Sequence, residues 1–311
     1  METIQGISQF NSTLPTVMTI GTFDGVHIGH QSILKRLINS AKTMGLRSAV
    51  LTFFPHPRMV LQKDADIKLL NTLEEKKAIL ADLGIDYLIV HPFTKEFSRL
   101  SAMEFVRDNL VNQLKVKKVI IGYDHRFGRN RNASIHELRN FGTTFDFEVE
   151  EIPAQEIDEV SISSTKIRNA LMDGRVDVAN TYLGYTYMLN GTITRGKGLG
   201  KQIGFPTANL YIAEQHKLIP QNGVYVVRSE IDGQVVNGMM NIGLNPTVAG
   251  DKRSIEVHYF DIDQDLYDTK VQVRLIKKIR DERKFDSLEA LREQLRKDQA
   301  TSMNLISDER Y

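Results

Sequence analysis

Hydrophobic positions in the first half of the chain alternate between two periods. Short β-branched runs at residues 16–20, 48–54, 86–90, 117–121 and 145–150 predict strands. Between them, residues 28–44, 72–83, 102–114 and 134–141 carry apolar side chains at helical spacing, among them Ile28, Ile33, Leu34, Leu37 and Ile38. Gly45 and Gly84 stand as stops, and Thr72 with Glu75 and Ser134 with Glu137 read as capping boxes. The alternation predicts an α/β, Rossmann-like domain with a parallel sheet covered by helices. Ligands of such sheets bind beyond the carboxyl ends of the strands.

The period changes after about Gly184. Runs at 187–194, 223–231, 234–242, 254–260 and 270–279 are short, β-branched and bounded by turns, with Asp232-Gly233 as a hairpin signal. They predict a small antiparallel β-barrel. Leu288, Leu291 and Leu295 share one face of a closing helix at 287–298. The fold class is therefore α/β plus β, with a linker expected near 173–187 and domains expected at 1–183 and 184–311.

Composition narrows the function classes. A chain of 311 residues has room for two domains, and a net charge of +1 with no basic-aromatic strip argues against a nucleic-acid partner. The absence of cysteine excludes disulfides and thiolate zinc sites and fits a reducing compartment. The first ten residues show no cationic segment before an apolar run, so no signal peptide is expected, and no apolar stretch is long enough to suggest a membrane span. A soluble, cytoplasmic protein with no membrane partner is expected. Oligomerisation is compatible with the sequence but not indicated by it.

Two segments carry candidate chemistry. In Gly21-Thr22-Phe23-Asp24-Gly25-Val26-His27-Ile28-Gly29-His30 a strand gives way to a helix. Gly21 and Gly25 permit a tight turn, Gly29 permits close approach of a ligand, and a helix N-terminus favours phosphate. His27 and His30, three apart, project from one helix face and can donate to phosphate oxygens. Alone, such a pair reads more often as surface or internally satisfied histidines; the glycine-rich strand-to-helix setting favours the phosphate reading. Zinc is the other option, without a third ligand in sequence support. Further on, Ser163-Ser164-Thr165-Lys166-Ile167-Arg168 places cations in the first turns of a helix, a conflict that a bound triphosphate relieves. An ordinary capped helix is equally supported by that segment alone.

The second segment holds Gly196, Gly200 and Gly204 at four-residue intervals, followed by Pro206-Thr207-Ala208-Asn209. Lys201 precedes Gln202, so this is no Walker A loop, and Pro206 in a β context leaves no helix to open. Glycine spacing alone fits a flexible loop best. Thr207 and Asn209, two apart on an extended segment, face one side and offer hard oxygen ligands suited to Mg²⁺ carrying phosphates. On 254–258, Glu256 and His258 share one face; Glu256 reads as a solvated carboxylate or as the acceptor of a substrate hydroxyl proton.

Taken together, His27-x-Gly29-His30 and Ile162-Ser163-Ser164-Thr165-x-x-Arg168 resemble the signature pair of the nucleotidylyltransferases. With Phe54-Pro55-His56-Pro57 and Gly122-Tyr123-Asp124-His125-Arg126-Phe127-Gly128, the first half resembles the adenylyltransferase module of prokaryotic bifunctional riboflavin kinase/FAD synthetases. The glycine series, Thr207, Asn209 and Glu256 resemble that family's kinase module, and the likeness runs over roughly residues 15 to 300. The resemblance implies two reactions. ATP phosphorylates riboflavin to FMN, and a second ATP adenylylates FMN to FAD with release of pyrophosphate.

It further implies phosphate or ATP contacts at Gly21, Phe23, Asp24, Gly29, Ser163, Ser164, Thr165, Arg168, Gly196, Gly200, Gly204, Thr207 and Asn209. It implies catalytic roles for His27, His30 and Glu256, Mg²⁺ at Thr207 and Asn209, and flavin contacts at Pro55, His56, Asp124 and Phe127. Phe54, His125 and Asp268 stand where the family often has an acidic residue, an aromatic one and glycine. These departures admit a chain with one retained activity and a regulatory second module. A binding protein built on nucleotide folds is the other alternative.

Overall fold

In a parallel sheet buried on both faces, successive side chains enter opposite cores, and here the two cores can be followed along each strand. The computed structural model describes residues 1–62, 66–123, 125–153, 162–196, 199–247, 250–262 and 264–308. They form two compact units, Met1–Ser164 and Thr165–Tyr311.

The first unit is built on β1 (Glu2–Gln5), β2 (Thr16–Ile20), β3 (Arg47–Phe53), β4 (Tyr87–His91), β5 (Val116–Gly122) and β6 (Glu148–Ile152). All neighbours pair in parallel, in the order β1-β4-β3-β2-β5-β6. Val17, Val50, Leu88 and Ile120 pack one face against Leu34, Leu37 and Ala41 of helix α1 (Ile28–Met44). Met18, Leu51, Ile89 and Val119 pack the other against Phe105, Val106 and Leu110. The chain moves outward one way through β3 and β4 and the other way through β5 and β6, so the order reverses between β2 and β5. The carboxyl ends of those two strands lead into Gly21 and Gly122, at the position where such sheets open a crevice.

Two helices, Ser164–Met172 and Val176–Leu183, open the second unit, the first of them starting on the last residue of the first unit. The second occupies the span expected to be a linker. Val176, Ala179 and Leu183 are buried at helical spacing, and Asn180 Nδ2 donates to the Leu275 carbonyl at 2.9 Å while its Oδ1 accepts from Tyr187 N at 2.7 Å. A closed antiparallel barrel follows, formed by β7 (Met188–Thr194), β8 (Ala208–Tyr211), β9 (Gly223–Ile231), β10 (Gln234–Thr247), β11 (Gly250–Tyr259) and β12 (Lys270–Arg280), in the order β10-β11-β8-β7-β12-β9. Asp232 and Gly233 take φ of 51° and 77°, the conformation a tight hairpin between β9 and β10 requires.

The closing helix runs Leu288–Asp308, ten residues beyond its expected end. Leu295 and Ile306 pack on Phe205, Val224, Met239 and Phe260. Two other expectations are corrected. The helix Ile135–Phe145 continues through the residue expected to open the last strand and stops at Asp146, whose φ is 58°. The glycine series does contain a helical turn, Leu199–Gln202.

Candidate active sites

The turn between β2 and α1 is held in an uncommon conformation. Phe23, Gly25 and Val26 have φ of 46°, 88° and 36°, and Val26, β-branched, is fully buried there. Such strain persists only where the surroundings over-determine it. Here Asp24 Oδ1 accepts from Leu70 N at 2.9 Å and Asn71 N at 3.4 Å, and Lys76 Nζ donates to the Thr22 carbonyl at 2.6 Å. The Phe23 ring lies 3.0 Å from where a side-chain carbon on Gly21 would stand. Gly29 is buried in the first turn of α1.

His27 is the N-cap of α1: its Nδ1 accepts from His30 N at 3.4 Å, which leaves the ring proton on Nε2. The His27 and His30 rings stack 3.7 Å apart at 19°, with Phe23 edge-on to His30. Burial pushes His27 down to about 4, against the opposing pull of Asp24. Burial, with His27 and Lys76 beside it, holds His30 well below the usual histidine range. Burial thus favours the neutral form of both imidazoles at pH 7, a form that can still donate one hydrogen bond to an anion. Among the described residues, His30 Nδ1 is buried without a partner. Ser164 Oγ donates to the Asp24 carbonyl at 2.9 Å, joining the two signature segments within the first unit. Ser163 is exposed beside it, while Thr165, Lys166 and Arg168 belong to the first helix of the second unit.

The residues expected to meet flavin are placed differently from one another. Pro55 follows a cis peptide bond, and His56 caps the short helix Pro57–Leu61, accepting from Arg58 N at 3.2 Å. Phe127 is a core residue, bridged to Ala133, with His125 stacked 6.2 Å from it. Asp124 lies outside the described residues, as do Lys197 and Gly198 of the glycine series.

In the barrel, register brings the second set together. Glu256 on β11 pairs across to Asn209 on β8 and to Asn241 on β10. Thr207 Oγ1 donates to Glu256 Oε2 at 3.2 Å. Gly200 is sterically required, since a side-chain carbon there would collide with the Phe205 backbone carbonyl, while one at Gly196 would displace the Asn209 amide. Gly204 has φ of 83°. His258, buried between Phe205 and Phe260, bonds the Pro206 carbonyl through Nδ1 at 2.7 Å and fixes the segment that carries Thr207. Asn241 and His258 lay in segments with sequence signals, but only register and packing show that they flank Glu256 and brace Thr207. At Asp268 the glycine conformation is kept without the glycine, with φ of 60°. Among the described residues no cluster of His, Cys, Asp or Glu could hold a metal by itself. Thr207, Asn209 and Glu256 supply hard oxygens suited to an ion that arrives on nucleotide phosphates.

Comparison with known proteins gives two family matches: FAD synthetase over residues 10–166 and riboflavin kinase over residues 183–306. Curated relatives named bifunctional riboflavin kinase/FMN adenylyltransferase include one from Listeria monocytogenes, 40% identical, covering 91% of this chain and 90% of that one. Another, from Escherichia coli K12, is 37% identical and covers 97% of both. A crystal structure described as a macrolide-efflux protein from Streptococcus pneumoniae matches with TM-score 0.89 at 32% identity, covering 97% of this chain and 99% of that one.

Proposed function

This chain belongs to the family of bifunctional riboflavin kinases/FMN adenylyltransferases, and from that membership we infer that one polypeptide converts riboflavin to FMN and FMN to FAD. Its substrates are riboflavin, FMN and ATP, and FAD is its product. The observation that carries the reading is that one chain holds both a helix mouth capped by His27 and a barrel in which Thr207 donates to Glu256. The efflux description stays with the structure that bears it; among the described residues no helix is long and apolar enough to cross a membrane. A cytoplasmic location is part of the proposal.

In the kinase reaction Glu256 accepts the proton of the riboflavin 5′-hydroxyl as its oxygen bonds to the γ-phosphorus and ADP departs. Thr207 and Asn209 hold the phosphates in line. A Mg²⁺ ion held by Thr207 and Asn209 would neutralise phosphate charge there. Gly196 and Gly200 let the loop close on those two side chains.

In the adenylyl transfer an FMN phosphate oxygen bonds to the α-phosphorus and the bond to the β-phosphate oxygen breaks, releasing pyrophosphate. The first N–H groups of α1 and the Nε2–H of His27 donate to the oxygens on which charge develops. His30 holds its place in the same mouth through its stack on His27.

The test is incubation of purified protein with riboflavin and Mg-ATP, with FMN and FAD separated by chromatography. Both should form in order. FMN without FAD, or neither, would overturn the two-activity reading.

A further inference from the structure

Helix Leu73–Asp82 opens with Glu74-Glu75-Lys76-Lys77, which looks like a solvated charged face. Glu74 is exposed, yet Glu75 and Lys76 are buried, Lys76 at 8% exposure. The Lys76 ammonium donates to the Thr22 carbonyl at 2.6 Å, an oxygen that also accepts from Thr52 Oγ1 at 3.3 Å. Thr22 opens the turn in which Phe23, Gly25 and Val26 all have positive φ. Asp24 of the same turn accepts from Leu70 N and Asn71 N, just ahead of the helix. Turn and helix thus clasp each other through a charged group from each side. Burying an ammonium is unfavourable, and Thr52 alone already serves the Thr22 carbonyl. Stability therefore gives little reason for a lysine rather than a methionine at this position.

We propose that Lys76 is a positioning residue for adenylyl transfer: its ammonium locks the Thr22–Val26 turn, sets the helix mouth that carries His27 and His30, and supplies a fixed positive charge behind the phosphates. The inference rests on the adenylyltransferase reading of the first unit. Among the described residues, Asp24 of the turn and His30 of α1 are the titratable groups that act on it, while β3 contributes the uncharged Thr52. Burial pushes Lys76 down to about 8, with Asp24 opposing. The cation is present below that pH and lost above it, so the free enzyme loses its positioning charge on the alkaline side.

The experiment uses the full-length protein with FMN and Mg-ATP, following FAD formation from pH 6 to 10. Wild type should show an alkaline limb in kcat/KM near pH 8. Lys76→Met should lower kcat on the order of 10²-fold and lack that limb, with riboflavin phosphorylation and melting temperature retained. Lys76→Arg keeps a cation at every pH and should move the limb upward while losing less activity. A Lys76→Met protein with wild-type kcat/KM, or either variant keeping the limb near pH 8, would overturn the proposal. Should Lys76→Met fail to fold, the limb in Lys76→Arg still decides. A wild type that makes no FAD from FMN would instead overturn the reading on which the inference rests.

Discussion

At the scale of single residues, the first unit uses histidines as neutral groups, and this has a measurable consequence for stability. His27 falls from an ordinary value of 6.5 to about 4 on folding. Between those values the unfolded chain takes up the proton and the folded chain does not, so stability must fall as pH falls across this window. The shift corresponds to about 3 kcal/mol lost between pH 6.5 and about 4. His27→Asn keeps an N-cap acceptor and removes the titration. Its melting temperature should therefore depend less on pH across that window than the wild type's, and parallel slopes would refute the assignment. In the barrel, Glu256→Gln keeps the size of the side chain that meets Thr207 but cannot accept a proton. Riboflavin phosphorylation should drop by about 10²–10⁴-fold while supplied FMN is still adenylylated, measured as two separate half-reactions. Glycine context marked His27 and His30 as candidates and alternation marked Thr207, whereas Glu256 became a candidate only through the family resemblance. Lys76 and Glu75 were not legible, because a run of two acids and two bases on a helix looks the same whether or not half of it is buried.

Elements were legible where local and global signals agreed. Helix α1 runs Ile28–Met44 as its apolar spacing and Gly45 predict, and the capping boxes at Thr72 and Ser134 form with both bonds in place. The edge strand β1 escaped notice because Glu2–Gln5 offers one buried residue, Ile4; its pairing with β4 supplies what four residues of pattern cannot. The helix Val176–Leu183 was hidden by the turn-forming Asp173-Gly174 before it. The closing helix extends past 298 because its later turns are held by tertiary contacts such as Ile306 on the barrel. Its anchor is ionic: Asp298, 3% exposed, receives the Arg280 guanidinium at 2.7 Å and the Gln294 amide at 2.7 Å. Removing one partner of such a pair leaves a buried charge uncompensated. Asp298→Ala should destabilise the barrel unit by about 3 kcal/mol. Urea titration with riboflavin kinase activity as the readout should show an earlier midpoint than wild type; an unchanged midpoint would mean that the apolar contacts of Leu295 and Ile306 carry the docking alone.

At the scale of the molecule, each unit has its own apolar core, one around the parallel sheet and one between the barrel and its closing helix. A substitution in one need not disturb the chemistry of the other. His30→Ala removes a ring stacked on His27 at the helix mouth and should cripple FAD formation while sparing FMN formation. Glu256→Gln should do the reverse. Neither variant alone can then convert riboflavin to FAD. Mixed in one vessel with Mg-ATP they should do so, since the first supplies FMN and the second adenylylates it. The lag before FAD appears should lengthen when both variants are diluted together, because FMN must accumulate in solvent before the second chain captures it. FAD from the mixture with no FMN detectable at any time would contradict release into solvent. No FAD from the mixture, with each half-reaction intact when assayed alone, would mean that the His30→Ala chain does not release the FMN it makes.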